Sequence, residues 1–282
     1  MGHRQGQARH ARAARSRRRL QGPHRSSEAD RSRLPVAVVT GASSGIGTEV
    51  ARLLTARGWL CVLLGRRRER LEALAGEVEV CDVSDRQAVE RVASAVLERH
   101  PAIHLLVNNA GIPGRSSFLG MEPERVEELI RTNYLGGVWC LRAFLPGLER
   151  GAPADVVNVV SVAGTVSLPG SAPYSASKAA QLAFSRATAA ELRPRGIRVH
   201  TVNPGFVHTE GFPNRDRSRN PLWRRLVIGP DRVAEHIVSV VGTERVETYV
   251  PWWYRPAAIL QAIAPGVLAH RLSRYQPTSP SD

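Results

Sequence analysis

The chain has 282 residues, 43% of them hydrophobic and 5% aromatic, which suits one large core and excludes a fibrous or wholly disordered protein. Its formal charge of +14 resembles that of a nucleic-acid binder, but residues 1–33 alone hold ten Arg against Glu28 and Asp30, so the remainder is only moderately basic and no nucleic-acid partner is expected. Cys61, Cys81 and Cys140 lie in apolar surroundings without metal-ligand spacing; an odd count with no secretory signal reads as reduced core thiols of a cytoplasmic protein with no metal site.

Residues 1–33 have almost no apolar side chains and no period, so they cannot bury enough surface to fold alone and read as a disordered basic tail. An arm for nucleic acid or anionic lipid, an Arg-rich transit peptide, and sequence lying upstream of a true start near Leu34 are the competing readings. A solvated tail or an early start codon is preferred over any specific partner.

Pro35 to Thr40 is a short, nearly continuous apolar run, the pattern of a strand buried on both faces of a parallel sheet. It leads into Gly41-Ala-Ser43-Ser44-Gly45-Ile46-Gly47 and then into a helical period over 48–57. Strand, glycine-rich turn and helix together make a phosphate-binding turn. Gly41 permits the tight turn, Gly45 lets backbone approach a pyrophosphate, and Gly47 lets the helix pack closely on the strand. Ser43, Ser44 and Ile46 complete the expected cofactor-binding turn.

Leu60 to Leu64 is the second buried strand, and its end should meet the adenosine ribose. A carboxylate there would select NAD; instead Arg66, Arg67 and Arg68 follow Gly65. Arg66 is the expected partner of a 2′-phosphate, with Arg67 as a second, so NADP is expected over NAD; arginines that merely solvate a helix start are the bland reading. A third strand ends in Asp82 and Val83, where Asp82 either accepts from the adenine amino group or caps the next helix, the first being favoured by its place at a strand end. An amphipathic helix over 85–99 precedes Leu105 to Val107, a fourth strand that ends in Asn108-Asn109-Ala110-Gly111, small residues and amides suited to a flat ring. Asn109, Ala110 and Gly111 are therefore expected cofactor contacts.

A fifth strand over 155–160 delivers Ser161, and Tyr174-Ser-Ala-Ser-Lys178 opens a helical stretch. Tyr174 and Lys178, four apart, share a helix face one turn apart. An ammonium there brings the phenol's pKa, normally about 10, toward neutrality and makes Tyr174 a general acid and base. Of 39 Lys and Arg residues, Lys178 is the single lysine, a compact cation whose pKa can move. Ser161 and Tyr174 can converge on one carbonyl oxygen.

Thr40 to Gly47, Asn108 to Gly111, Ser161, Tyr174 and Lys178, in that order, resemble the short-chain dehydrogenase/reductase family over roughly residues 34–250. The resemblance implies a single doubly wound α/β domain of Rossmann type, a central parallel sheet flanked by helices. It implies that Asn133 completes the catalytic set by supporting a proton-relaying water, and that Lys178 also holds the nicotinamide ribose. It further implies that the turn Asn203-Pro204-Gly-Phe-Val207-His208-Thr209 lies over the nicotinamide, with Pro204, the Val207 backbone and the Thr209 hydroxyl as contacts and His208 as an ordinary loop residue.

Residues 210–228 have little period and five Arg, which suits a lid over the substrate with Phe206, Phe212, Pro213, Leu222 and Trp223 as its ceiling. The apolar C-terminal segment, residues 251–282, is too short and too interrupted by Pro265-Gly266 for a spanning helix. Pocket cover, subunit interface and membrane-surface contact remain open for it. The expected activity is an NADP-dependent interconversion of a small-molecule alcohol and a ketone or aldehyde, the substrate lipophilic and the enzyme a homo-oligomer, cytoplasmic or peripheral to a membrane. Reduction of a carrier-bound 3-oxoacyl thioester is the alternative within the class. A catalytically silent NADP-binding regulator is the alternative outside it, disfavoured because Ser161, Tyr174 and Lys178 are all present.

Overall fold

Short apolar runs buried on both faces suit a parallel sheet, and the computed structural model assembles them so. It describes residues 34–114, 116, 118–210 and 227–272; the basic tail and the stretch 211–226, with the proposed ceiling residues Phe212, Pro213, Leu222 and Trp223, lie outside the described residues. The strands are β1 (Val36–Thr40), β2 (Leu60–Gly65), β3 (Glu77–Val80), β4 (Leu105–Asn108), β5 (Ala154–Val159), β6 (Ile197–Pro204) and β7 (Glu247–Val250). They form one sheet in the order β3-β2-β1-β4-β5-β6-β7 with every pair parallel.

Successive side chains of a strand point to opposite faces, and β1 divides accordingly between two cores. Ala37 and Val39 join α1 (Gly45–Ala56) and α7 (Pro230–Val240) through Val50, Leu54, Val233 and Ile237. Val36 and Val38 join α3 (Arg86–Arg99) and α5 (Gly136–Arg150) through Val89, Val96, Phe144 and Leu148. Each Val or Leu buried this way contributes about 1.5–3 kcal/mol relative to exposure. Between the first two of these helices lies the short α2 (Arg68–Glu72). Asp85 starts α3 by accepting from the Gln87 and Ala88 amides, so the capping role weighed for Asp82 falls to Asp85.

The helical segment around Asn133 is not one regular α-helix. Instead α4 (Pro123–Ile130) runs into a π-helical turn, Arg131–Leu135, before α5 begins. Such a turn re-aims side chains within an otherwise regular helix, and it marks functional sites often. The 21-residue α6 (Ala172–Leu192) carries Tyr174 and Lys178 and ends through a 3₁₀ turn at Gly196, whose φ of +74° takes the left-handed conformation glycine tolerates.

After β7 the chain forms a turn at Trp252–Tyr254, then α8 (Arg255–Ile263) and α9 (Pro265–Leu272). The Tyr254 ring lies against Gly205, where any Cβ would overlap it, and meets Phe206 edge-on with ring centroids 6.3 Å apart. This segment therefore begins as a cover over the turn that follows β6. Beyond it Ile259, Ile263 and Val267 are exposed, as are Trp252 and Trp253. No helix among the described residues is long and apolar enough to cross a membrane.

Candidate active site

The strand order reverses between β1 and β4, and at such a switch point the loops leaving the two strands part to open a crevice. The turn after β1 enters it with Gly41 at φ +66° and Gly45 at φ +54°. A Cβ on Gly41 would lie 2.8 Å from Ala110 Cα, and one on Gly47 would lie 2.6 Å from the side-chain Nδ2 of Asn109, so neither position has space for a side chain. Ser44 is the N-cap of α1 but makes no side-chain cap bond, which leaves the first-turn N–H groups without that partner at the positive end of the helix. Thr48 Oγ1 braces the turn by donating to the Ala42 carbonyl at 2.8 Å. Ile46 packs on the core beneath. A bare backbone cradle at a helix N-terminus fits the phosphates of a dinucleotide.

Thr40 ties this turn to the loop after β4. Its hydroxyl accepts from the amides of Asn109 and Ala110, both at 3.0 Å, and donates to the Val107 carbonyl at 3.2 Å. Asn109 returns the bond, its Nδ2 donating to the Thr40 carbonyl at 2.9 Å. The Asn109 side chain thus braces the cradle rather than facing a ring. Gly111, two residues on, is flanked by both Asn133 and Lys178: a Cβ there would sit 3.1 Å from Asn133 Oδ1 and 3.7 Å from Lys178 Nζ.

The π-helical turn directs Asn133 inward, where it is almost fully buried. Its Nδ2 donates to the Ile112 carbonyl at 3.1 Å and to Ser177 Oγ at 3.0 Å, and its Oδ1 accepts from the Ile112 amide at 2.7 Å. Ser161 follows β5 and accepts from the Ala163 amide at 3.1 Å, with its side chain near enough to the Tyr174 phenol to favour the phenolate. Lys178 is 4% exposed and donates to the Val159 carbonyl at 3.1 Å and to Gln181 Oε1 at 2.9 Å, leaving the third ammonium hydrogen unassigned by these bonds. Burial lowers its pKa to about 7.

The expectation that Lys178 draws the Tyr174 phenol toward neutrality is corrected here. Burial raises the phenol's pKa, and only the neighbouring Ser161 side chain pulls the other way. Desolvation acts on both groups of the pair in opposite senses, disfavouring phenolate and ammonium alike. The lysine's ordered partners are a carbonyl and an amide, not the phenol.

On the opposite rim, the Pro204-to-Thr209 turn descends onto the glycine turn, so that a Cβ on Gly45 would lie 3.0 Å from Thr209 Cγ2. The bonds Ile228 N–H to Phe206 O and His208 N–H to Ile228 O, both 2.9 Å, flank Val207. Strand alternation therefore turns the Val207 peptide groups away from Ile228. At the end of β2, Arg66 lies 3.7 Å from Asp82 Oδ2, whereas Arg67 folds back onto the turn, donating to the Ser43 carbonyl at 3.2 Å and to Ser43 Oγ at 3.4 Å. The other oxygen of Asp82 accepts from the Ser84 amide and hydroxyl at 2.9 and 2.8 Å, and Val83 packs its side chain against Gly136.

Beside Tyr174 opens a recess of about 450 Å³ lined by Pro113, Gly114, Ser116, Met121, Glu122 and Arg125 among others. Gly114 separates it from the tyrosine: a Cβ there would be 3.1 Å from Tyr174 Cβ. Pro113, Gly114, Met121, Glu122 and Arg125 carry no motif that marks them as functional; only the folded chain gathers them and brings Gly114 against the Tyr174 side chain.

The model for the short chain dehydrogenases matches residues 35–220. The chain belongs to the short-chain dehydrogenase/reductase family. This enzyme is 32% identical over 254 residues to the bovine (Bos taurus) dehydrogenase/reductase SDR family member 7B, covering 82% of this chain and 78% of that one. It is 33% identical over 226 residues to the FabG 3-oxoacyl-acyl-carrier-protein reductase of Thermotoga maritima, covering 74% and 91%. A short-chain dehydrogenase of Burkholderia cenocepacia, solved in complex with NADP, superposes with a TM-score of 0.74 at 30% identity, covering 87% of this chain and 99% of that one. The dehydrogenase/reductase is thus an enzyme on a Rossmann-like fold.

Proposed function

We propose that the enzyme interconverts an alcohol and a ketone or aldehyde with NADP(H), using Tyr174 as the group that gives and takes the proton. The observation that carries this reading is the convergence of Ser161, the buried Tyr174 phenol and the buried Lys178, whose ammonium approaches Gly111 next to the glycine cradle. When bound, the nicotinamide supplies or accepts the hydride. Gly41, Ser43, Ser44, Gly45, Ile46 and Gly47 hold the phosphates, Gly111 and Ala110 approach the dinucleotide with backbone, and Val207 and Thr209 orient the carboxamide end. Ser161 donates to the substrate's carbonyl oxygen. Tyr174, kept protonated at neutral pH by burial, gives its proton to the same oxygen in reduction. Lys178 holds the ribose hydroxyls with its remaining hydrogen, and Asn133 steadies the Ile112 backbone beside it.

NADP is proposed over NAD because no carboxylate stands directly after β2 and Arg67 meets Ser43 of the phosphate turn there; Arg66, turned toward Asp82, is the lesser contributor. A 3-oxoacyl thioester is the second substrate reading, supported by the relatives named as ketoacyl reductases. The family resemblance supports a homo-oligomer and the three free, buried cysteines support a cytoplasmic location, with the exposed Trp252, Trp253, Ile259, Ile263 and Val267 as a candidate membrane or subunit surface. The test is turnover of a carbonyl panel, 3-oxoacyl thioesters included, by wild type and Tyr174→Phe. Loss of about 10²- to 10⁴-fold in kcat with NADPH binding retained supports the reading; undiminished turnover in Tyr174→Phe refutes it.

A further inference from the structure

Glu210 lies one residue beyond Thr209, on the turn that rests against Gly45. Its carboxylate reaches across to the start of α2: Oε2 accepts from Arg67 Nη1 at 2.8 Å and Oε1 accepts from Arg70 Nη1. These partners are 143 and 140 residues away in sequence, so the contact belongs to the tertiary fold and not to local chain geometry. Arg67 meanwhile keeps its Nε and Nη2 on Ser43, which aims its remaining nitrogen at the carboxylate. Two guanidiniums around one anion, one of them braced by Ser43, make a set that recognises a phosphate monoester as readily as a carboxylate. Both guanidiniums hold the Glu210 carboxyl below its ordinary pKa, so it stays an anion at neutral pH.

From this arrangement we infer that Glu210 is an internal placeholder for the 2′-phosphate of NADP, occupying Arg67 and Arg70 until the cofactor displaces it. The inference rests on the NADP reading above. A dianionic phosphate and the carboxylate cannot share Arg67 Nη1, and like charges beside one another repel, so the arrival of the phosphate expels Glu210. NADH, without that phosphate, leaves the ion pair in place. Glu210 therefore lowers affinity for the phosphorylated cofactor alone and narrows the preference that Arg67 creates. It also ties the turn bearing Val207 and Thr209 to the end of β2 before the cofactor binds, a link that the phosphate then breaks.

Equilibrium titrations of the full chain with NADPH, NADH, 2′,5′-ADP and 5′-ADP, read by nucleotide fluorescence or calorimetry, test this in wild type, Glu210→Gln and Arg67→Ala. Glu210 is 57% exposed and the Arg67 side chain 39%, so the pair is weak and the expected change is correspondingly small. Glu210→Gln should tighten NADPH and 2′,5′-ADP about three- to fivefold and leave NADH and 5′-ADP unchanged. Adding Arg67→Ala should erase that gain. If Arg67→Ala collapses the NADPH preference but Glu210→Gln does not move it, the placeholder is wrong and the cofactor reading stands. A uniform change for every nucleotide in Glu210→Gln likewise overturns it, pointing to a displaced turn. Equal NADPH and NADH binding by wild type, insensitive to Arg67→Ala, overturns the cofactor reading and this inference together.

Discussion

Asn133 grips the main chain of Ile112 from both sides, its Oδ1 accepting from the Ile112 amide at 2.7 Å while its Nδ2 donates to the Ile112 carbonyl at 3.1 Å. Only an amide side chain offers a donor and an acceptor in that spacing. Asn133→Asp keeps the acceptor but sets a buried carboxylate oxygen against the Ile112 carbonyl, which has no proton to offer it. We expect a loss of about 1–3 kcal/mol in stability and a fall in kcat, with the larger loss for Asp than for Ala. Chemical denaturation together with steady-state kinetics checks this. An Asn133→Asp protein as stable as wild type would mean that the clamp contributes nothing.

Lys178 produces a pH dependence of stability with a definite sign. Its pKa lies near 7 in the folded protein and near 10.5 ordinarily, so between those values the unfolded chain holds a proton that the native state does not. Unfolding takes up that proton, and native stability rises with pH across the window. Lys178→Met lacks the effect. The difference in unfolding free energy between wild type and this variant should shift in favour of wild type from about pH 7 to about pH 10, as read by urea melts at stepped pH. Parallel pH profiles for the two proteins would contradict the buried-lysine assignment.

Gly47→Ala and Gly58→Ala separate two roles of glycine. At Gly47 a Cβ meets the Gly41 backbone and the Asn109 amide, so the turn must shift. Gly58 has φ +82° with open space around its Cβ position. Gly58→Ala should cost about 1 kcal/mol of backbone strain and leave nucleotide binding intact. Gly47→Ala should cost about 1–3 kcal/mol and weaken NADPH binding at least tenfold as well. Thermal unfolding with and without nucleotide reads both effects.

Asp155, at the opposite end of the sheet from the site, governs acid stability. Burial alone would raise its carboxyl, but bonds from Arg198, from His200 and from the Gly242 amide outweigh that and hold it near pH 2. Its ordinary value is 3.8. Between the two values the unfolded chain binds the proton and the native chain does not, so stability present above that window is lost as pH falls through it. Asp155→Asn should cost about 3–5 kcal/mol near neutrality, since it strands Arg198 and His200 beside an uncharged amide, and should flatten the acid limb of the curve. Urea unfolding from pH 5 downward distinguishes the two proteins.

Much of this molecule was legible before folding. Thr40 to Gly47 reads as strand, turn and helix because glycine spacing and buried valines are local signals. Tyr174 and Lys178 read as one helical face because helix periodicity is local too, and both lie in α6. Asn133 was reached only through family resemblance, since nothing in Arg131-Thr-Asn-Tyr-Leu135 announces a π-helical turn. The bracing role of Asn109 and the contact of Arg67 with Ser43 were invisible, because each depends on which partner lies across a gap of many residues.

What the sequence determined by itself was the order of the strands, the glycine turn between β1 and α1, and the shared helix face of Tyr174 and Lys178, all carried by periodicity and by residue types at fixed spacings. Tertiary structure alone decided the protonation balance and the pairing of charges. Whether Tyr174 feels Lys178 or burial depends on the dielectric around both and on the carbonyl and amide that claim the ammonium. Whether an arginine after β2 faces Asp82, Ser43 or Glu210 depends on strands and turns brought together from distant parts of the chain. Electrostatic energies depend on three-dimensional distance and solvent exposure, and neither is encoded by neighbours in sequence.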